Sequence, residues 1–185
     1  MLLEILLSKY KEDTLVYEYI DKEELFIKGK LNIVYGEKSA GKTTSVLKAL
    51  NSSGIKPIYI DWDNNELYAD AVRFSGSVEL LYDVIEHSTK QDIIVIDHLD
   101  GMSNGKYMSE DDATRVLDIL TSIDATVILL AHATAFKSAT KKQLSFRGND
   151  KIANNALTVY RLEDGNLHIE KRRGKDNDTI EQWHR

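Results

Sequence analysis

The sequence predicts an α/β domain with a mainly parallel sheet flanked by helices and an antiparallel addition at its C-terminal end. Three observations predict it. Short apolar runs alternate with amphipathic stretches, the pattern of strands covered by helices. One run, Asp92-Ile93-Ile94-Val95-Ile96-Asp97, is apolar throughout between two acids, as suits a strand buried on both faces. A glycine-rich stretch, Gly36 to Thr43, sits between an apolar run and a helical one.

The elements follow in order. Met1-Leu2-Leu3-Glu4-Ile5-Leu6-Leu7 is apolar but short, holds a carboxylate and lacks a basic leader. It reads as a strand or helix lying on the domain or on a neighbouring subunit, with no membrane role. No other run approaches the roughly 20 apolar residues that span a bilayer. Leu31 to Tyr35 is the first strand and Thr43 to Leu50 the following helix. Ile58 to Asp61 is a second strand, set off by Gly54 and Pro57, the only proline. Ser77 to His87 is helical, with Leu81, Val84 and Ile85 inward.

Ser109 is placed to cap a helix carrying Ala113, Val116, Leu117, Leu120 and Ile123 on one face. Thr126 to Ala131 is another buried strand, followed by a polar loop. Ala156 to Arg161 and Asn166 to Lys171 are a strand pair joined through Asp164-Gly165. One domain over 1–185 accounts for all of this, with an N-terminal extension at 1–24 and a tail at 175–185.

Composition narrows the function. The 185 residues can bury a full core around one sheet, and 42% hydrophobic with 29% charged is an ordinary globular balance. Cysteine is absent, which excludes disulfides and thiolate metal sites and fits a reducing cytoplasm. A net charge of −6 excludes a uniformly basic coat for nucleic acid. Yet Ala125 to Asn149 holds no acid and contains Lys137, Lys141, Lys142 and Arg147. Lys171-Arg172-Arg173-Gly174-Lys175 is a second basic cluster. Both are places where phosphates can be held.

The stretch Gly36-Glu37-Lys38-Ser39-Ala40-Gly41-Lys42-Thr43 has the spacing of a P-loop. Its glycines let the backbone curl so that successive amides face phosphate oxygens, aided by the N-terminus of the next helix. Lys42 brings positive charge to the β- and γ-phosphates, and the Thr43 hydroxyl is a Mg²⁺ ligand. Asp97, closing an apolar strand downstream, is the carboxylate expected beside that metal. Asp61 and Asp63 end the second strand on the same side of an extended chain, so spacing alone leaves open which one would activate water. His132 ends the strand that begins at Thr126, where a polar side chain can touch the γ-phosphate or its water.

These residues resemble the RecA-like ATPases, and within them the branch of DnaB-type and RepA-type hexameric helicases and small RecA-core proteins of viruses and plasmids. The resemblance runs from Leu25 to Asn177. It rests on Gly36 to Thr44 as Walker A, Ile93 to Leu99 as Walker B, and Ile128-Leu129-Leu130-Ala131-His132 as the sensor strand. It continues through Phe146-Arg147-Gly148-Asn149 to Leu162 and ends on Lys171-Arg172-Arg173-Gly174.

The resemblance implies a RecA-like P-loop core, with ATP and Mg²⁺ as cofactors. It implies a catalytic carboxylate at Asp63, where the family usually has Glu. The shorter side chain implies slow hydrolysis, because misplacing water by about 1 Å costs on the order of 10²-fold. It implies that Lys171 and Arg173 reach a neighbouring subunit's nucleotide, and hence a homo-oligomeric ring or filament. It also implies single-stranded DNA on the loops at 98–109 and 133–148, through Lys106, Lys137, Lys141, Lys142 and Arg147.

Replication or recombination proteins are the expected partners, and the cytoplasm (a host's, for a viral protein) the expected location. A GTPase would need an Asn-Lys-x-Asp motif, which is absent. A nucleotide-dependent switch or assembly protein without DNA binding, and a small-molecule kinase, remain as alternatives.

Overall fold

The computed structural model describes residues 17–62, 71–102, 109–137, 142–146 and 150–172. In chain order the elements are β1 (Leu31–Gly36), α1 (Lys42–Ser52), β2 (Ile58–Asp61), β3 (Val72–Ser75), α2 (Val78–His87), β4 (Ile93–Asp97) and α3 (Leu99–Met102). Then come α4 (Glu110–Ser122), β5 (Thr126–Lys137), β6 (Lys142–Phe146), α5 (Asp150–Asn155), β7 (Thr158–Glu163) and β8 (Asn166–Arg172). The sheet order is β3-β2-β4-β5-β1-β7-β8, with β6 added to the far half of β5. From β3 across to β7 every pairing is parallel; β8 and β6 are antiparallel. This is the mixed architecture of a RecA-like core.

Strand alternation sends successive side chains to opposite faces, and two apolar layers result. Ile33, Tyr35, Ile60, Ile94, Ile96, Leu129 and Val159 meet Leu81 of α2, Val116 and Leu120 of α4 and Ile152 of α5. Val34, Tyr59, Val95, Ile128, Leu130 and Tyr160 meet Val46, Leu47 and Leu50 of α1, with Leu25 and Phe26 of the preceding turn. The central strands are buried on both faces, so their sequences carry almost no polar residues before the carboxyl ends.

Local signals agree with these layers. The Ser77 hydroxyl caps α2 by accepting from the Leu80 amide at 3.1 Å, and Ser109 caps α4 from the Asp112 amide at 3.2 Å. Glu110, Asp111 and Asp112 fill the first turn of α4, where the helix dipole favours negative charge. The β7–β8 hairpin turns through Asp164 and Gly165, both at positive φ, as a tight turn matched to strand twist requires. Buried Asn32 ties β1 to its surroundings: its Oδ1 accepts from the Ile27 amide and the Thr158 hydroxyl, each at 2.8 Å. None of the helices described is long and apolar enough to cross a membrane.

The structure departs from the sequence reading in several places. The polar loop expected after Ala131 is instead a continuation of β5 to Lys137, paired from Ala133↔Phe146 to Lys137↔Lys142 with β6. Leu144 is buried, and Phe146 packs edge-on against Tyr35 with ring centroids 5.8 Å apart, so this hairpin is anchored in the core. Tyr35 in turn donates to Glu170 Oε1 at 2.5 Å; burial first, and that acceptor second, push its phenol well above its ordinary range. β3 and the short helices α3 and α5 are further departures, each with too few residues to show a period.

Candidate functional site

The carboxyl ends of β1, β2, β4 and β5 lie side by side, the place where open α/β sheets present their sites. β1 delivers Gly36 at the start of the P-loop. A Cβ at Gly36 would stand 2.5 Å from the Leu162 carbonyl oxygen of β7, so only glycine allows this approach of the two backbones. Left-handed backbone at Ser39 (φ 65°) and Gly41 (φ 87°) then curls the chain, the alternation that turns successive amides to one side. Gly41 is the residue on which α1 starts. Glu37, Lys38, Ser39 and Ala40 make the rim of the loop, and Thr44 is exposed on the first turn of α1.

Lys42 opens α1 and is buried, its Nζ donating to the carbonyls of Glu37 at 2.9 Å and Gly36 at 3.2 Å. The ammonium therefore sits within the curl of the loop. Thr43 follows, and its hydroxyl donates to Asp97 Oδ2 at 2.6 Å. Two residues far apart in sequence, at the start of α1 and the end of β4, thus form a hydroxyl–carboxylate pair. A divalent cation with phosphate and water as its remaining ligands fits that donor set. No cluster of three or more His, Asp or Glu able to hold a metal occurs among the described residues, so a cation here would rely on a ligand for the rest of its shell.

Further groups surround Asp97. The fully buried Tyr59 donates its hydroxyl to the same Oδ2 at 2.6 Å. His98 is buried, with Nδ1 3.9 Å from Asp97 Oδ1. Its ring lies 4.3 Å from that of His132, centroid to centroid, and the register sets His132 opposite Gly36. His132 is thereby beside the glycine-rich loop.

Asp61 is opposite Asp97 in the β2–β4 register and fully buried. Its Oδ2 accepts from Arg73 of β3 through Nε at 2.9 Å and pairs with the terminal nitrogen at 2.8 Å. Trp62 continues from Asp61 and is wedged between two glycines. A Cβ at Gly76 or at Gly101 would lie 2.3 Å from its ring system. Its amide donates to the Asp97 carbonyl at 2.7 Å, so the chain leaving β2 is tied to the end of β4.

The remaining predicted residues fall elsewhere. Lys137 and Lys142 face each other as a backbone pair at the outer end of the β5–β6 hairpin, Lys137 roughly 16 Å beyond His132 along an extended strand. Lys171 pairs with Val159 on β8 and donates to the Asn154 carbonyl of α5 at 2.7 Å. α5 covers the face of the sheet opposite α1, and the register sets Lys171 beside Val159, level with Ile33 rather than with Gly36. Asp63, Lys106, Lys141, Arg147 and Arg173 lie outside the described residues.

Sequence reasoning missed Tyr59, His98 and Arg73. Alternation already put Tyr59 on the same face as Asp61, which was a usable signal. Arg73 gave none, because its strand is too short to be read.

No family model matches the chain, and no curated protein matches it. Among solved structures, the chain is similar to one described as the crystal structure of the RadB recombinase. The TM-score is 0.60 at 17% sequence identity, over 82% of this chain and 85% of that one. At that identity the likeness establishes the shared fold, in agreement with the strand order described above.

Proposed function

We propose that this chain is a RecA-like ATPase that binds a nucleoside triphosphate with Mg²⁺, hydrolyses it, and couples hydrolysis to single-stranded DNA in recombination, strand annealing or replication. The observation that carries this reading is the 2.6 Å contact between Thr43 Oγ1 and Asp97 Oδ2 beside the Lys42 ammonium. A glycine-rich turn with no ligand gives no reason for a threonine at its end to meet a strand-terminal carboxylate. A magnesium–triphosphate site does. The architecture shared with a recombinase supports the same reading.

In this account the loop amides and Lys42 hold the β- and γ-phosphates, Lys42 exchanging two carbonyls for phosphate oxygens. Thr43 and Asp97 hold the cation, which when bound neutralises charge developing between those phosphates. Asp61 is committed to the Arg73 guanidinium, which holds its Oδ2 through Nε at 2.9 Å. That leaves Asp63, two residues on, to orient the attacking water. His132 meets the γ-phosphate side of the loop. Lys171 and Arg173 act on the nucleotide of a neighbouring subunit, in keeping with Lys171 reaching toward α5 and not toward Gly36 of its own chain. ATP then lies between subunits of a ring or filament.

The β5–β6 hairpin carries His132 near its base and lysines at its tip, so one strand spans from phosphate site to DNA contact. Anisotropy of a labelled oligothymidylate with ATP and Mg²⁺ tests the DNA element. Binding should weaken as salt rises, and Lys141→Ala with Lys142→Ala should lower the log–log salt slope by roughly 1.4, about 0.7 for each phosphate no longer neutralised. A protein that shows no single-strand binding at low salt would be a nucleotide-dependent switch instead.

A further inference from the structure

A tyrosine at the centre of a buried strand brings a hydroxyl that must find a partner. Tyr160 meets that need with a backbone carbonyl, donating to that of Leu25 at 2.7 Å. Tyr59 does not. Fully buried under α1, it donates to Asp97 Oδ2 at 2.6 Å. The same oxygen accepts from Thr43 Oγ1 at 2.6 Å. Two hydroxyls, one from β2 and one from α1, converge on one carboxylate oxygen through short, charge-assisted bonds.

This convergence fixes more than a single bond can. An aspartate carboxylate turns about two side-chain torsions, and its terminal torsion is broad. A Thr43 hydroxyl that also serves a cation is a mobile anchor, whereas the Tyr59 ring is held by the core on every side. Resting on the nucleotide reading above, we infer that Tyr59 is a positioning residue for the magnesium–nucleotide site. Its hydroxyl pins Asp97 Oδ2 and so presets the carboxylate for metal-bound water. The grip of the loop on phosphate does not pass through this bond.

The test is an equilibrium titration of Mg²⁺ into protein mixed with a fluorescent ATP analogue, compared with the same analogue in EDTA. Wild type, Tyr59→Phe and Tyr160→Phe are measured side by side. Tyr59→Phe removes one oxygen and keeps the packing. It should raise the Mg²⁺ concentration for half-saturation roughly tenfold, the scale of one hydrogen bond to a charged group. Its affinity for the analogue in EDTA should be that of wild type. Tyr160→Phe should keep the wild-type Mg²⁺ requirement, which separates the role from loss of any buried hydroxyl.

An unchanged or lowered Mg²⁺ requirement in Tyr59→Phe overturns the inference, as does an equal loss of affinity with and without metal. Wild type that ignores the analogue in both conditions removes the nucleotide reading itself, and this inference with it.

Discussion

Replacing Lys42 with alanine should cut phosphate release from ATP by at least about 10²-fold, the cost of deleting one preorganised group that meets developing charge. The side chain is buried, and its Nζ is held by the carbonyls of Gly36 and Glu37 inside the curl of the loop. On the proposed reading, those carbonyls keep the ammonium beside the phosphates before any ligand arrives, so little reorganisation is needed during the reaction. The loop itself is shaped by left-handed backbone at Ser39 and Gly41, and alanine suits the first position of α1 at least as well as lysine. The variant should therefore fold. Far-ultraviolet circular dichroism and a phosphate-release assay check both halves; turnover within a few-fold of wild type would contradict the role given to Lys42.

Arg73→Ala should destabilise the protein by about 3 kcal/mol, because it takes a hydrogen-bonded counter-ion from a buried carboxylate. Asp61 has no exposed side-chain surface, while Arg73 keeps 31% of its own, which places the expected cost at the low end for a broken buried pair. For a chain of this size that corresponds to a fall in Tm of roughly 6–12 °C. Asp61→Asn combined with Arg73→Ala should recover much of the loss, since an amide carries no charge to strand. Thermal melts of the two variants decide the matter, and an Arg73→Ala melt at the wild-type temperature would show that solvent already screens Asp61.

Much of the fold was legible because its signals are local. The curl at Gly36–Thr43 needs glycines at fixed places, a doubly buried strand must be apolar like Ile93–Ile96, and helix starts need caps like Ser77 and Ser109. The Asp164-Gly165 turn announced the final hairpin for the same reason. What stayed hidden was choice of partner. Periodicity gives the face on which a side chain lies, not which group meets it there.

So spacing left Asp61 and Asp63 equivalent, and nothing in it announced that Arg73, on a strand too short to recognise, meets Asp61. Tyr59 looked like core until its hydroxyl met Asp97. The stretch from Ala133 to Phe146 is rich in small and polar residues and reads as a loop. It is a hairpin because Leu144 and Phe146 have core to pack against, which only tertiary structure supplies.

Thr43, Asp97 and Lys42 together make the proposed magnesium–triphosphate site. Equilibrium binding of ATP to the purified wild-type protein, with Mg²⁺ and then with EDTA, is the deciding measurement. Saturable binding that tightens when Mg²⁺ is present is the predicted result. The absence of measurable affinity for any nucleoside triphosphate in either condition would contradict it.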